Sequence, residues 1–351
     1  MRREIFVGSV GIGGKHPVSI QSMTNTDTRD VDATLGQIRG LATMGCDIVR
    51  VALPAADAVG AFARIVRDSP LPVIADVHFD ASLALAALES GAHGLRINPG
   101  NIGDRRRLVP VIRSAAERNI PIRIGVNAGS LEKRFRDCET PRPRSMVDSL
   151  MEHVRFFEDQ GFTRIKISLK SSRVRETVEA NRLAAATCNY PIHLGITEAG
   201  SGLEGEVKSA VGIGALLLEG IGDTIRVSLT ADPLREVRVA KALLAAIGLR
   251  NTGIEVISCP TCARTSVDLI SLVDKVKARL ERLQTNRPLT VAVMGCEVNG
   301  PGEAREADLG LAFSRARGFL FRRGKIIAQV DVTEAVERLE AEVLRVLDSE
   351  S

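Results

Sequence analysis

The sequence predicts an α/β protein: a (β/α)8 TIM-type barrel followed by a small α+β domain. Three observations carry that prediction. Apolar, β-branched runs alternate with helically patterned stretches eight times between residue 17 and about residue 248. The rhythm stops near the polar LRNTG stretch (249–253), beyond which strands and helices follow no repeating order. A closely spaced cysteine pair, Cys259 and Cys262, appears only in that second part. A doubly wound open sheet is the competing topology for the first part.

In chain order, EIFVGSVGIGG reads as a short hairpin placed to close the barrel bottom. The barrel strands are PVSIQSM (17–23), IVRVAL (48–53), VIADV (73–77), GLRINP (94–99), IRIGVN (122–127), RIKISLK (164–170), IHLGIT (192–197) and TIRVSLT (224–230). Each precedes a stretch of helical periodicity, ASLALAALESG after the third and EVKSAVGIGALLLEG after the seventh being examples. The divide falls at residues 1–250 and 251–351. In the second part IEVIS (254–258) leads to the cysteine loop, and RTSVDLISLVDKVKARLERL makes a long helix. LTVAVM (289–294), LGLAFS and GKIIAQVDV are strands, and VTEAVERLEAEVLRVL is a terminal amphipathic helix.

The totals narrow the function. With 44% hydrophobic and 26% charged residues the chain can build a large core. A net charge of +4, no Trp, one Tyr and no basic run beyond Arg105–Arg107 argue against a nucleic-acid partner. No run approaches the ~18 apolar residues of a membrane span, and the basic start lacks the apolar region of a signal peptide. Six cysteines in a chain this long indicate a reducing cytoplasm rather than a disulfide framework.

Chemistry in a barrel of this type sits at the C-terminal ends of the strands. Those ends carry Arg50, Arg96 and Asn98, Arg123 and Asn127, then Lys166, Ser168 and Lys170 on one face, and Arg226, Ser228 and Thr230 on another. One buried arginine is commonly half of an ion pair. Cations from five strands near one rim instead suit a diphosphate or similar polyanion. Glu198, just past the seventh strand, is placed either as a general acid or base or as a cap or ion-pair partner. Asp76 and His78 share a strand face, where a structural hydrogen bond is the simpler role for the histidine. AGSGLEG (199–205) is only a weak phosphate-loop pattern.

Cys259 and Cys262 lie between a strand end and a helix start, whose N–H groups would stabilise thiolates. Cys296, in MGCEVNGPGEA, ends the next strand with 33 residues between it and Cys262. Cys46 and Cys188 read as packing thiols and Cys138 as exposed. Glu297, Asn299 and Glu303 are the oxygen donors near Cys296, and no histidine follows residue 193, which excludes a local Cys3His zinc site. Three thiolates with an oxygen or open fourth position suit a reactive iron–sulfur cluster better than structural zinc.

At VSIQSMTNTDT, LRINPGNIG, IRIGVNAGSLE, HLGITEAG, EGIGDTIRVSLTADP, CPTCAR and GCEVNGPGEA the chain resembles, end to end, the bacterial 4-hydroxy-3-methylbut-2-en-1-yl diphosphate synthase family. These are iron–sulfur enzymes of the non-mevalonate isoprenoid pathway. The resemblance is to the compact two-domain form. It implies a [4Fe–4S] cluster on Cys259, Cys262, Cys296 and Glu303. It also implies reductive ring opening and dehydration of 2-C-methyl-D-erythritol 2,4-cyclodiphosphate, with electrons from flavodoxin or ferredoxin. By motif position Arg50, Arg96, Arg123, Asn127, Lys170, Arg226 and Ser228 would bind the diphosphate, with Lys166 competing with Lys170, and Glu198 would be the acid/base group. A homodimer is implied, one chain's cluster domain closing over the other's barrel. Two other readings compete: a zinc-bearing barrel transferase or lyase acting on a phosphorylated or pterin-type substrate, and a non-catalytic metal-dependent interaction module.

Overall fold

The computed structural model describes residues 1–77, 80–98, 105–251, 253–283, 285, 287–296, 303–314 and 317–349, with Glu303 by its backbone alone. The chain divides into two compact units, Met1–Arg250 and Asn251–Ser351.

The first unit opens with an antiparallel hairpin, β1 (Ile5–Val7) and β2 (Val10–Ile12). Eight strands then alternate with helices: β3 (Ser19–Met23), β4 (Ile48–Ala52), β5 (Val73–Val77), β6 (Gly94–Ile97), β7 (Ile122–Asn127), β8 (Ile165–Lys170), β9 (His193–Leu194) and β10 (Thr224–Ile225). Each pairs in parallel with its sequence neighbour, and β10 pairs with β3. A parallel bridge from Ile167 to Ile192 closes the ring between β8 and β9. The result is a barrel without free edges, as the eightfold alternation predicts.

Strand periodicity explains its two faces. Val49, Val51, Ile122, Ile124, Ile165 and Ile167 point outward into the apolar shell made by the helices. Those helices are α1 (Val31–Thr43), α2 (Val59–Asp68), α3 (Ala81–Glu89), α4 (Val109–Glu117), the short α5 (Lys133–Arg136), α6 (Arg142–Asp159), α7 (Val174–Thr187), α8 (Gly202–Leu218) and α9 (Pro233–Ala246). Asp30, Asp80 and Asp232 start α1, α3 and α9 by accepting hydrogen bonds from the N–H groups of Ala33, Ser82 and Leu234. Each such cap contributes about 1 kcal/mol. At the N-terminal end of the strands, Ile5, Val7 and Ile12 of the hairpin pack on Ile48 and Ile74, sealing the barrel floor.

The last two barrel strands are shorter than the sequence predicts over 192–197 and 224–230. Gly195 shows why. A Cβ there would lie 2.6 Å from the Arg226 carbonyl oxygen and 2.7 Å from Lys170 Nζ. The two chains converge too closely to keep a ladder, and one bond, from Arg226 N–H to the Leu194 carbonyl, continues it.

The second unit is a five-stranded sheet in sequence order: β11 (Ile254–Ser258), β12 (Leu289–Met294), β13 (Leu309–Ser314), β14 (Arg317–Arg322) and β15 (Lys325–Asp331). The first three are parallel and the last three antiparallel. Helices α10 (Leu269–Leu280) and α11 (Ala335–Asp348) bury Leu272, Val276, Leu339 and Val343 against Val291, Val293 and Leu311. Strand β14 is absent from the sequence prediction. Its marker is the following turn, where Arg323 (φ 46°) and Gly324 (φ 74°) are both left-handed, the backbone of a two-residue hairpin. The predicted long helix is also shorter: it starts at Leu269, where Asp268 accepts from Ser271 N–H.

Candidate active site

The parallel pairings are staggered by about eight residues in one circuit of the ring, so side chains at one height come from alternate strands. Inward-facing residues therefore stack in levels. Ile48, Gly94, Lys166 and Thr224 form a low level, and Gln21, Ile74, Arg123 and His193 the next. Arg50, Arg96, Ser168 and Arg226 lie above these, then Met23, Asp76, Gly125 and Gly195. Asn98, Lys170 and Ser228 reach the C-terminal rim, with Asn127 one step further. Such interiors are ordinarily filled by Val, Ile and Leu. This one is largely polar and cationic, with Ile48 and Ile74 meeting the hairpin at its floor.

The upper levels hold a partly neutralised cationic cluster. Asp76 lies 3.2 Å from Arg96 and 3.6 Å from Arg50, a buried carboxylate between two guanidiniums. Arg50 also donates to the Met23 sulfur at 2.9 Å. Glu236, on the first turn of α9, is buried and accepts from Ser22 Oγ (3.1 Å) and Leu229 N–H (3.0 Å) while facing Arg226 at 3.4 Å. The sequence reading passed over this glutamate; an acidic residue in the first turn of a helix behind the last barrel strand was the available clue. Asn98 donates to Ser130 Oγ, tying the end of β6 to the loop after β7.

The cations outnumber these acids, and their acidities show it. Burial, only partly offset by Asp76, brings Arg50 down to about 10. Burial, then the neighbouring Arg50 and Arg96, pushes Arg123 well below the usual arginine range. Burial, then Arg123, does the same to Lys170. Lys166 falls to about 7, from burial first and Arg123 second. A polyanion bound among these groups would favour the charged form of those it reaches. The two lysines differ in depth: Lys170 stands at the rim and Lys166 near the floor, which favours Lys170 as the ligand of an entering anion.

The Lys166 shift has a measurable consequence. Its folded value lies below the 10.5 of an unperturbed lysine. Between those two pH values the unfolded chain holds a proton that the folded chain lacks, so stability rises with pH across that window. The penalty is full at and below about pH 7. Lys166→Met is therefore expected to raise the melting temperature by a few degrees in chloride-free buffer at pH 7, with the gain shrinking as pH approaches 10. Thermal unfolding followed by circular dichroism checks it.

Glu198 is exposed in the turn after β9 and adopts φ 52°, a left-handed conformation rare outside glycine. Among the described residues no hydrogen bond or ion pair engages its carboxylate. The cap and ion-pair readings therefore find no support, since Ser201, the residue before α8, makes no side-chain cap either. The Gly-rich segment is a tight turn: Gly205 approaches the Gly200 carbonyl so closely that a Cβ would sit 2.8 Å from it. His78, Glu297 and Asn299 lie outside the described residues.

In the second unit Cys259 follows the end of β11, and Cys296 stands two residues past the end of β12, its parallel neighbour. All three candidate thiols are free; Cys259 and Cys296 are buried and Cys262 is exposed. The Gly295 N–H donates to Cys259 Sγ at 3.2 Å, joining the two strand-end loops. Cys262 is held below the usual thiol range, chiefly by the Arg264 backbone N–H and then its side chain. That corrects the expectation of helix-start N–H groups, because α10 begins seven residues later. Among the described residues no three His, Cys, Asp or Glu groups already stand at metal-ligating distance. The topology brings the three cysteines to one sheet edge without gathering them, and the Glu303 side chain is not described. Free, partly buried thiols, one acidified and one receiving an N–H, are chemically suited to soft iron or zinc ions. Cys46, by contrast, is raised to about 12 by burial, and Cys188 is raised for the same reason.

The sequence matches the GcpE TIM-barrel domain over residues 2–241 and the GcpE protein C-terminal domain over residues 255–345. A protein of Geobacter sulfurreducens is 54% identical over 346 residues, 98% of each chain. One of Lawsonia intracellularis is 54% identical over 329 residues, 93% of this chain and 91% of its own. Both are called 4-hydroxy-3-methylbut-2-en-1-yl diphosphate synthase (flavodoxin). Among solved structures, a Yersinia pestis dihydropteroate synthase superposes with a TM-score of 0.52 at 9% identity, covering 71% of this chain and all of that one. At that identity the likeness concerns the barrel fold alone.

Proposed function

The chain belongs to the GcpE family and is an oxidoreductase, and from that premise we propose the reaction and the residues that serve it. The substrate is 2-C-methyl-D-erythritol 2,4-cyclodiphosphate. Its ring is opened and its hydroxyl lost as water, two electrons being consumed, to give (E)-4-hydroxy-3-methylbut-2-enyl diphosphate. The observation that carries this reading is the stack of buried cations, short of counter-anions, at the C-terminal end of the barrel.

Arg50, Arg96, Arg123, Lys170 and Arg226 bind the diphosphate, whose charge replaces the solvent lost on burial. Asn127 and Ser228 supply uncharged hydrogen bonds at the rim. Glu198, in the turn that follows β9, moves the proton that accompanies departure of the hydroxyl. Cys259, Cys262, Cys296 and Glu303 would hold a [4Fe–4S] cluster, which supplies electrons singly. A flavodoxin, the donor in the relatives' names, or a ferredoxin delivers them, and the chain works as a homodimer in the cytoplasm. Among the described residues no helix is long and apolar enough to cross a membrane.

Protein purified without oxygen is expected to contain iron and sulfide in equal amounts and no stoichiometric zinc. Zinc without iron or sulfide would instead select a zinc-bearing barrel enzyme. In the same preparation Glu303→Ala is expected to leave the barrel folded but make the cluster labile and turnover very low. Full activity in that variant would remove Glu303 from the ligand set.

A further inference from the structure

The two lowest levels of the barrel interior hold polar atoms that no group of the protein satisfies among the described residues. Gln21 Nε2 and Oε1, Arg123 Nε and Nη1, Lys166 Nζ, and both ring nitrogens of His193 are buried without a hydrogen-bond partner among the described residues. All four side chains are at most 4% exposed. Buried polar atoms almost always have partners, so several orphans at one place point to a ligand.

The pairings place them together. Gln21, Arg123 and His193 share one level, and Lys166, which pairs with Arg123 across β7 and β8, lies one step below. The floor beneath is closed by Ile48, Ile74 and the β1–β2 hairpin. The nearest acid, Asp223, is already engaged: it accepts from Ile192 N–H at 2.7 Å and faces Arg2 at 3.6 Å. Asp76 and Glu236 are committed to the arginines of the higher levels. The unmet groups are therefore chiefly donors, two of them on cations. Water would satisfy the donors but leave the charge uncompensated.

We propose that the barrel interior beneath the substrate-binding end is a binding site for a small inorganic monoanion, enclosed by Gln21, Arg123, Lys166 and His193, with bromide as the probe. Ile74 fills the space beside Gly94, its Cγ1 being 3.2 Å from where a Cβ would stand. The anion holds Lys166 charged and fixes the inner edge of Arg123, leaving its outer edge for the diphosphate above.

The test uses the full chain without substrate, in sodium gluconate titrated with sodium bromide at constant ionic strength. The melting temperature is expected to rise saturably, and diffraction at the bromine edge to show an anomalous peak between Lys166 and Arg123. Lys166→Met is expected to lose both. Lys166→Gln, which keeps a donor but no charge, is expected to bind bromide about tenfold or more weakly. Density only at the surface, an adventitious ion only, would overturn the site. So would a lumen occupied by water with no saturable shift, or a bromide affinity unchanged in Lys166→Gln.

Discussion

Cys262→Ser is expected to abolish turnover and strip the protein of its iron while leaving barrel unfolding unchanged. The residue suits the test because its thiol is exposed, so a serine disturbs no packing. The thiol is held below its usual range, chiefly by the Arg264 backbone N–H, which favours the thiolate form that ligates metal. A serine hydroxyl at the same position does not ionise near neutral pH and is a poor ligand for soft iron. Anaerobically prepared variant should lack the visible sulfur-to-iron absorption of the parent, with iron and sulfide falling together. Cys46→Ser and Cys188→Ser serve as controls, since burial of one and partial burial of the other push those thiols up rather than down. A Cys262→Ser protein with full iron content and activity would show that the sheet-edge cysteines are not the cluster ligands.

How much of this was legible beforehand varies with the physics of each element. Strands β3 to β8 follow from runs such as IRIGVN because a parallel strand buried on both faces must be apolar outward, whatever it carries inward. The ends of β9 and β10 were misjudged because a glycine-permitted close approach at Gly195 is a three-dimensional event with no periodicity. Strand β14 was missed because RGFLFR is short and bounded by charges; only its two-residue turn marks it. The cations of the candidate site could be read from strand positions, but not which pair with Asp76, which face Glu236 and which remain uncompensated. That depends on the stagger of the barrel, which places Lys166 four residues deeper than Lys170 on one strand. The cysteine spacing points to the sheet edge where the three thiols stand, but not to the absence of a helix start beside it, which Asp268 fixes further along the chain by capping α10.

Glu198 offers the second large effect, because stability and activity should move in opposite directions there. A left-handed conformation at a non-glycine residue costs roughly 1–2 kcal/mol. The surrounding turn imposes it, with Gly200 at φ 104° and the Gly200 carbonyl accepting from Thr230 N–H. A glutamate whose side chain makes no protein contact repays none of that strain structurally. The strain is accounted for if the carboxylate acts on a ligand in the barrel mouth. Glu198→Gly is therefore expected to stabilise the fold by about 1 kcal/mol and to lower turnover by about 10²- to 10⁴-fold. Glu198→Gln keeps size and strain, so its stability should match the parent while turnover falls by a similar factor. In both variants the iron content and the affinity for an unreactive diphosphate should hold, because neither the thiols nor the buried cations have changed. Chemical denaturation and single-turnover kinetics on the three proteins separate the effects. If Glu198→Gln kept parental turnover, the carboxylate would have no part in proton transfer, and the strained turn would stand without an account.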